Sequence, residues 1–409
     1  MNCLSQETAT LTFENGMPSS QEMQGQLCHE TDRLLELFQA DVLDAHRIQF
    51  IVSRLGSLIQ LMAGMETRFA ARKVNANTLA RVARTQLTDE RYQKLELVCL
   101  EALGHADWHI RVQAMSILAS VLGSEVGKPY MAQRLSASLD ALANDGSIDV
   151  PPEELFATAE SLAYLGDRSG LEVLESVLRS NGSPTGLKRR AIKAFRHLGS
   201  PIPEHLYLSE DAAVAYDAFG CIETPVKDKT ILSYAVRQLE RLHSIFQENH
   251  GLEHNQLALM FRLAIILKLG VRDGLVTGEE LHAAKLAARS FAGSSDTMVR
   301  ERISPFFAEI ADDSDLGCIT QMLSSPSAKI RAEATLALAR CSPQSILSNA
   351  RRLFELLDDA DYWNRNFALY ALRKGLGENT GNIVSDPEFK AQKERVRQEY
   401  VDRGFIFGD

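Results

Sequence analysis

The sequence predicts an all-α protein in which pairs of helices stack side by side as a right-handed α-solenoid. Three observations support this prediction. A stripe of apolar residues recurs along the chain at constant offsets, a helix-start residue precedes each stripe, and most successive stripes begin 31–45 residues apart. Repeats of about 30–45 residues are typical of helical arrays, in which each unit covers its apolar edge with the next unit. We expect about seven to nine helix pairs.

The apolar stripe is clearest in residues 325–342, SPSAKIRAEATLALARCS, where it occupies offsets 0, 4, 7, 8 and 11 from Ile330. These offsets lie on one face of an α-helix. A short, Ala-rich helix is only marginally stable in water, so it needs neighbours that cover this face. Related stripes begin at Ile110, Leu155, Leu187, Val299 and, with a polar first residue, Asn364.

Two polar features accompany the stripes. A basic residue follows the first position in five of the six segments: Arg111, Lys188, Arg300, Arg331 and Arg365. A capping or helix-opening residue stands three positions before it: Asp107, Pro152, Pro184, Asp296, Ser327 and Asp361. Asp and Ser accept hydrogen bonds from free amides at a helix start, and Pro suits the first turn. We interpret the Arg and Asp residues as links between neighbouring turns rather than as ligand-binding groups.

These patterns resemble HEAT repeats of the bacterial, phycobilisome-lyase type. The residues that carry the resemblance are D-x-x-[IV]-R-x-x-A at 107–114 and, with Ile303 in place of Ala, at 296–303, S-x-x-I-R-x-x-A at 327–334, and LGDRSGLEVLESVL at 165–178. The resemblance is clearest over 95–200 and 285–376. It implies a fold rather than a function, because such arrays perform many tasks.

The predicted organisation has four parts. Residues 1–27 form a disordered or loosely held N-terminal tail, and residues 28–94 form an N-terminal helical cap region. Residues 95–376 form the repeat array, in which 201–284 is divergent because it lacks most of the Asp and Arg pattern. Residues 377–409 form a charged C-terminal capping helix and tail.

Composition restricts the possible partners and the compartment. The chain has 44 Lys and Arg against 54 Asp and Glu, a net charge of −10, which argues against non-specific binding to nucleic acid or an anionic membrane. Six scattered cysteines without a CxxC pair fit a reduced cytoplasmic protein. The first residues lack a signal-peptide pattern. The most apolar run, 257–271, is too short to span a bilayer and contains two basic residues.

We predict no catalytic residue, no cofactor and no metal site. Two histidine pairs, His105/His109 and His250/His254, have the i, i+4 spacing of helical metal ligands. However, the first pair straddles the helix start at Asp107, and Gly251 interrupts the second. Surface or capping roles are therefore favoured for both pairs.

Two segments are basic and free of acidic residues, 67–88 and 185–199. If both faced one groove, they could contact phosphates. The simpler interpretation is a pair of solvated helix faces that balance nearby acidic residues. Arg189 and Arg190 of the second segment are candidates for partner contacts.

Aromatic residues follow two of the helix-start aspartates: Trp108 after Asp107, and Tyr362 and Trp363 after Asp361. They either pack on the preceding turn or anchor a partner, since Trp, Tyr and Arg dominate binding hot spots. The candidate partner-binding residues are Trp108, Tyr362, Trp363, Arg189 and Arg190.

The sequence therefore predicts a non-catalytic scaffold that grips another protein with the concave face of the array. Its role would be that of an adaptor, a regulator or an inhibitor of the immunity type. Two alternatives stay open: an enzyme similar to bilin lyases or HEAT-like DNA glycosylases, and a nucleic-acid-binding solenoid that uses the basic segments.

Overall fold

The computed structural model describes residues 19–38, 45–67, 76–145, 150–222, 226–378 and 386–405. All regular secondary structure in these ranges is helical, and they contain no strand. The prediction of an all-α protein is confirmed. The chain divides into two compact units, Met1–Ile202 and Pro203–Asp409. This boundary lies inside the predicted array, next to the start of its divergent stretch at residue 201.

Unit 1 contains the helices that precede Pro203. They are α1 (Ser20–Phe38), α2 (Ala45–Thr67), α3 (Ala76–Gln86), α4 (Asp89–Ala102), α5 (Trp108–Ser116), α6 (Lys128–Asp145), α7 (Pro152–Tyr164), α8 (Leu171–Arg179) and α9 (Thr185–Leu198). A π-helical turn, Ile117–Val121, continues α5. Helix α5 packs against α7, and α7 packs against α9.

Unit 2 contains the remaining helices. They are α10 (Glu204–Tyr207), α11 (Ala212–Gly220), α12 (Lys229–Asn249), α13 (His254–Arg272), α14 (Gly278–Ala292), α15 (Thr297–Ile310), α16 (Leu316–Leu323), α17 (Ala328–Leu338), α18 (Pro343–Ser348), α19 (Ala350–Leu356), α20 (Tyr362–Gly375) and α21 (Asp386–Asp402). Helices α11, α13, α15, α17 and α20 form a row in which each packs against the next. The helices between them pack against members of this row.

The apolar stripes form the core where these helices meet. The apolar side chains of the stripes that begin at Ile110, Leu155, Val299 and Ile330 are all buried, whereas Leu187 is only half-buried. The predicted caps at Asp107, Asp296 and Asp361 each accept a hydrogen bond from a backbone amide of the first turn. Ser327 precedes α17 but makes no such bond. Its hydroxyl instead donates to Glu301 Oε1 at 3.3 Å.

The N-terminal boundary lies earlier than predicted, since α1 begins at Ser20, inside the segment assigned to the tail. Ser19 and Glu22 form a reciprocal cap: Ser19 N donates to Glu22 Oε2 at 2.7 Å, and Glu22 N donates to Ser19 Oγ at 3.2 Å. Met23 and Leu27 are then buried in the unit. The Ser-x-x-Glu pattern before an apolar run signals this start in the sequence. Residues 1–18 of the predicted tail lie outside the described residues.

The C-terminal helix α21 packs on α20 through two buried side chains, Val396 and Tyr400. The Tyr400 hydroxyl donates to the Leu372 carbonyl at 3.0 Å. A Cβ at Gly375 would lie 2.6 Å from that hydroxyl oxygen. The last stripe position of α20 is therefore glycine because the closing helix approaches its backbone.

Candidate functional site

The aromatic residue at the start of α5 is largely packed. Trp108 is half-buried, and its ring stacks on that of His109 with centroids 3.7 Å apart. His109 N and Nδ1 both lie 2.9 Å from Asp107 Oδ1, so the capping aspartate also orients the imidazole. These contacts favour the packing interpretation of Trp108.

The aromatic residues at the start of α20 are more accessible. Trp363 is 50% exposed, whereas Tyr362 is half-buried. The two rings meet edge to face with centroids 5.5 Å apart, and the Trp363 ring lies 5.8 Å from that of Phe367. Rings that are ordered by such contacts lose little entropy when a partner covers them. Trp363 is therefore the best-placed partner anchor among the predicted residues.

The predicted arginines on α9 are engaged within unit 1. Arg190 is half-buried, binds both carboxylate oxygens of Glu160, and lies 5.0 Å from the centre of the Phe156 ring. Arg189 is also half-buried. This environment gives Arg190 a structural role. Of the other basic segment, Arg68, Arg72 and Lys73 lie outside the described residues, and Arg84 lies 5.3 Å from the centre of the Tyr92 ring.

Two of the arginines that follow the first stripe position, Arg331 and Arg111, link neighbouring turns, whereas Arg300 and Arg365 bond only within or just before their own helix. Arg331 Nε and Nη2 donate to the carboxylate of Asp359 at 2.8 and 3.0 Å, and Nη1 donates to the Ser325 and Pro326 carbonyls. Burial is the largest single influence on Asp359 and raises its pKa, but hydrogen bonds from Arg331 and the Asp361 amide outweigh it, so the pKa is lowered. The linking interpretation is confirmed for Arg331, but its partner is Asp359 and not a helix-start aspartate, since Asp361 caps α20.

Arg111 makes the equivalent contacts in unit 1. Its Nε and Nη2 donate to Glu154 at 2.7 and 2.6 Å, and its Nη1 donates to two carbonyls of the preceding turn. Arg134 Nε reaches the same carboxylate at 2.6 Å. Glu154 is fully buried, and burial raises its pKa, but hydrogen bonds from the two arginines lower it by more. We call these three residues the Glu154 cluster.

A second surface, which the sequence did not indicate, runs across α13, α15, α17 and α20. It consists of four positions on each helix, counted from the first stripe residue: the residue one position before it and those three, six and ten positions after it. Helix α13 has the same stripe, and its first stripe residue is Leu259. We call this surface the common face. Its members are Ala258, Arg262, Ile265, Leu269, Met298, Arg302, Pro305, Glu309, Lys329, Glu333, Leu336, Arg340, Trp363, Phe367, Tyr370 and Lys374. All are half-buried or exposed except Pro305.

Side chains of α13 and α17 meet at the part of the common face that α15 forms. Phe261 of α13 lies beside it, and the ring of Phe261 has Arg302 of α15 on it at 5.4 Å and Lys329 of α17 at 4.5 Å. Lys268 of α13 also reaches Glu333 of α17 at 3.7 Å. Side chains from α13 and α17 therefore bridge α15 on this surface.

Several cations on the common face have no carboxylate partner. Within the described residues, no carboxylate lies at ion-pair distance from Arg262, Arg302, Lys329 or Lys374. Each instead lies 4.5–6.0 Å from the centre of an aromatic ring. Arg302 Nε is buried and meets no hydrogen-bond acceptor in the part of the chain that the structure describes. This arrangement leaves positive charge available on the common face.

Glu333 lies among these cations, and no described residue donates a hydrogen bond to its Oε2. Burial raises the pKa of its carboxyl group, and the positive charges of Lys268 and Lys329 reduce that rise without cancelling it. The carboxylate is therefore incompletely compensated in this state. A donor or cation on a bound partner would improve its environment.

The sequence indicated Trp363 but not Phe261, Arg302 or Lys329. The usable signal was a second helical periodicity: Trp363, Phe367, Tyr370 and Lys374 stand at i, i+4, i+7 and i+11 on α20. That spacing places an aromatic row on one side of the helix. Its continuation across other helices depends on which helices pack together, and α13 belongs to the stretch that the sequence treats as divergent.

Neither histidine pair forms a metal cluster in the residues that the structure describes. Within them, no group of three His, Cys, Asp or Glu side chains is placed to hold a metal ion. His105 Nδ1 accepts a hydrogen bond from Asp107 N at 3.0 Å, and His250 ends α12 with a left-handed backbone, φ 55°. Over the same ranges, no helix combines the length and the apolar character needed to cross a bilayer.

Comparisons with known proteins give little further information. No protein-family model matches the chain, and no curated protein sequence matches it. Solved structures that resemble it include a crystal structure of an engineered protein from the Northeast Structural Genomics Consortium, with 14% sequence identity over 75% of this chain and 94% of that chain. The TM-score is 0.23, so this likeness supports no argument about architecture or function.

Proposed function

We propose that the protein is a non-catalytic scaffold that binds another protein, with the architecture of a HEAT-like α-solenoid. The row of α11, α13, α15, α17 and α20, each packed on the next, supports such an array within unit 2. The Arg331–Asp359 link between successive turns supports it further. The biological role would be that of an adaptor, a regulator or an inhibitor.

The observation that carries this proposal is Trp363. It is half exposed, its ring contacts those of Tyr362 and Phe367, and it lies at one end of a surface formed by four helices that pack in succession. Aromatic residues with ordered surroundings are the commonest anchors of protein interfaces. Burying a half-exposed Trp together with its neighbours gives the apolar centre that an interface needs.

Native affinity capture tests the proposal. Tagged full-length protein is incubated with lysate of its source organism, and bound proteins are quantified by mass spectrometry. Trp363→Ala should remove at least one reproducible partner. Leu286→Ala is the matched control, because Leu286 is 60% exposed but lies on α14, outside the common face.

The two variants must first show wild-type melting, so that the comparison concerns binding alone. A partner retained by Leu286→Ala and lost by Trp363→Ala supports a scaffold that binds through this end of the face. Identical partner sets for all three proteins, or no partner at all, would contradict it.

A further inference from the structure

The charge distribution on the common face indicates the chemistry of its partner. The chain as a whole is acidic, with a net charge of −10. The common face nevertheless presents Arg302 and Lys329, next to the Phe261 ring, without ion pairs to any described residue. Other arginines of unit 2, such as Arg351 and Arg352, have a carboxylate within reach. Local positive charge on an acidic protein is a specific feature that attracts negative groups.

The geometry of these cations favours a partner over internal pairing. Arg302 and Lys329 lie 5.4 and 4.5 Å from the centre of the same Phe261 ring, so their charged groups are less than about 10 Å apart. Two positive charges in this range repel each other, and an anion near both offsets that repulsion. Arg302 Nε is buried, so a carboxylate of a partner would accept hydrogen bonds from the terminal nitrogens of the guanidinium group.

The aromatic end of the common face adds a second requirement for the partner, an apolar or aromatic side chain that packs on it. Trp363, Phe367 and Tyr370 form a row on α20, which packs directly against α17, the helix that carries Lys329. A segment that crosses from α15 to α20 would therefore meet cations first and aromatic rings next.

Resting on the scaffold function proposed above, we propose that the common face binds an acidic segment of another protein. Aspartate or glutamate side chains of the segment pair with Arg302 and Lys329, and one aromatic or aliphatic side chain packs on Trp363. Glu309 and Glu333 lie on the same face and would repel a continuous phosphate backbone, which favours a protein segment over nucleic acid. A peptide can place a neutral or basic residue opposite each of them.

Selection from a random 16-residue peptide library displayed on phage tests this proposal on the full-length protein. The selected peptides should be enriched in Asp and Glu, with an aromatic or large aliphatic residue at a constant distance. A synthesised, fluorescein-labelled winner should bind by fluorescence anisotropy, and affinity should fall when salt rises from about 50 to about 200 mM.

Matched variants separate recognition by Arg302 and Lys329 from the effect of lowering the total positive charge of the protein. The double variant Arg302→Gln, Lys329→Gln should weaken the labelled peptide at least about tenfold at low salt. The control Arg179→Gln, Arg351→Gln removes the same charge from strongly exposed sites and should leave binding unchanged. Lys374→Gln, at the aromatic end, should have an intermediate effect.

Three outcomes would overturn the proposal: selection without acidic enrichment, equal binding by the Arg302/Lys329 double variant, or tighter binding of a 16-nucleotide oligo-dT than of the selected peptide. A native partner that depends on Trp363 but is insensitive to the double variant would retain the scaffold function and reject only the acidic segment. Absence of any Trp363-dependent partner would reject the scaffold function itself.

Discussion

The Glu154 cluster in unit 1 and the common face in unit 2 differ in whether their arginines are paired with carboxylates. In unit 1, Arg111 and Arg134 both donate to the fully buried Glu154, and Arg190 above Phe156 is neutralised by Glu160. In unit 2, Arg302 has the same position above an aromatic ring, Phe261, but no carboxylate partner among the described residues. An arginine that stacks on an aromatic ring can therefore be either a neutralised structural group or a cation without a carboxylate partner.

This difference teaches how to separate structural from functional charge in a repetitive helical protein. A charged group whose hydrogen bonds are all satisfied within the fold contributes to stability and is inaccessible to partners. A half-buried cation without a carboxylate partner lacks that stabilising contribution and retains its capacity for a ligand. The comparison predicts that substitutions in the two regions affect different properties.

The largest expected effect is that of Glu154→Gln. The substitution keeps the shape of the side chain but leaves two arginines beside a neutral amide in a buried site. We expect a loss of about 3–5 kcal/mol in the free energy of unfolding, measured by denaturant titration. Glu175→Gln, which breaks the exposed pair with Arg179, should cost less than about 0.5 kcal/mol. Equal effects of the two variants would show that the Glu154 cluster does not stabilise unit 1.

The next effect is a pH dependence from His197, which packs on the Tyr164 ring with centroids 4.4 Å apart. Burial, assisted by the charge of Arg196, lowers the pKa of His197 from 6.5 to about 4. The unfolded chain therefore binds a proton that the folded chain rejects, so stability falls as pH falls from about 6.5 to about 4. The full loss is up to about 3 kcal/mol.

His197→Gln should flatten this part of the stability–pH curve. The exposed His282 provides the matched control as His282→Gln. Unfolding titrations of the three proteins at several pH values measure the slopes. An unchanged slope in His197→Gln would assign the pH dependence to other groups.

A smaller effect, of opposite sign, is expected at Asn364, the fully buried first stripe position of α20. Neither side-chain amide atom makes a hydrogen bond to a described residue. The amide helps to lower the pKa of the nearby Asp359, but the two groups do not meet in hydrogen-bond geometry. A buried, unsatisfied amide costs about 1–3 kcal/mol, and Leu has nearly the same shape.

Asn364→Leu should therefore stabilise the protein by about 1 kcal/mol in denaturant titration, at the lower end because the contribution to Asp359 is lost. Asn364→Ala, which removes the same amide but leaves a cavity, is the comparison variant and should destabilise the protein. Destabilisation by Leu as well would show that the Asn364 amide is satisfied in solution.

The smallest effect on stability should come from the common face itself. Arg302→Gln and Lys329→Gln each remove a cation–π contact with Phe261 but no ion pair to a described residue, so the free energy of unfolding should fall by only about 0.5 kcal/mol. Arg331→Gln, which breaks the pair with Asp359, should cost several times more. A large loss in Arg302→Gln would place this residue with Glu154 as a structural group and weaken its assignment to partner binding.

Much of the local structure was predictable because it depends on short-range patterns. Helical periodicity identified the buried residues around Ile110 and Ile330, and the helix-start aspartates 107, 296 and 361 cap as expected. The role of Arg331 was also predictable, since its position recurs with the stripe. The start of α1 was missed although Ser19 and Glu22 form a recognisable capping pattern.

The candidate site was only partly predictable. Trp363 stood out because tryptophan is rare in this chain and follows a helix start. Arg190 stood out for its basic surroundings, but its partner Glu160 lies 30 residues earlier, on another helix. The same limitation hid Phe261 and Lys329, which lie on helices far apart in the chain and meet only through packing.

The sequence by itself determined that the protein is helical, where the six helices that carry the apolar stripe begin, and which side of these helices is buried, because these properties depend on residues within one or two turns of each other. Only the tertiary structure decided which charges are neutralised and which stay available. Arg190 and Arg302 look alike in sequence, and each lies on an aromatic ring, yet among the described residues a glutamate from a neighbouring helix reaches only the first. Coulomb interactions and desolvation depend on distances of a few ångströms between helices, and helix packing sets those distances.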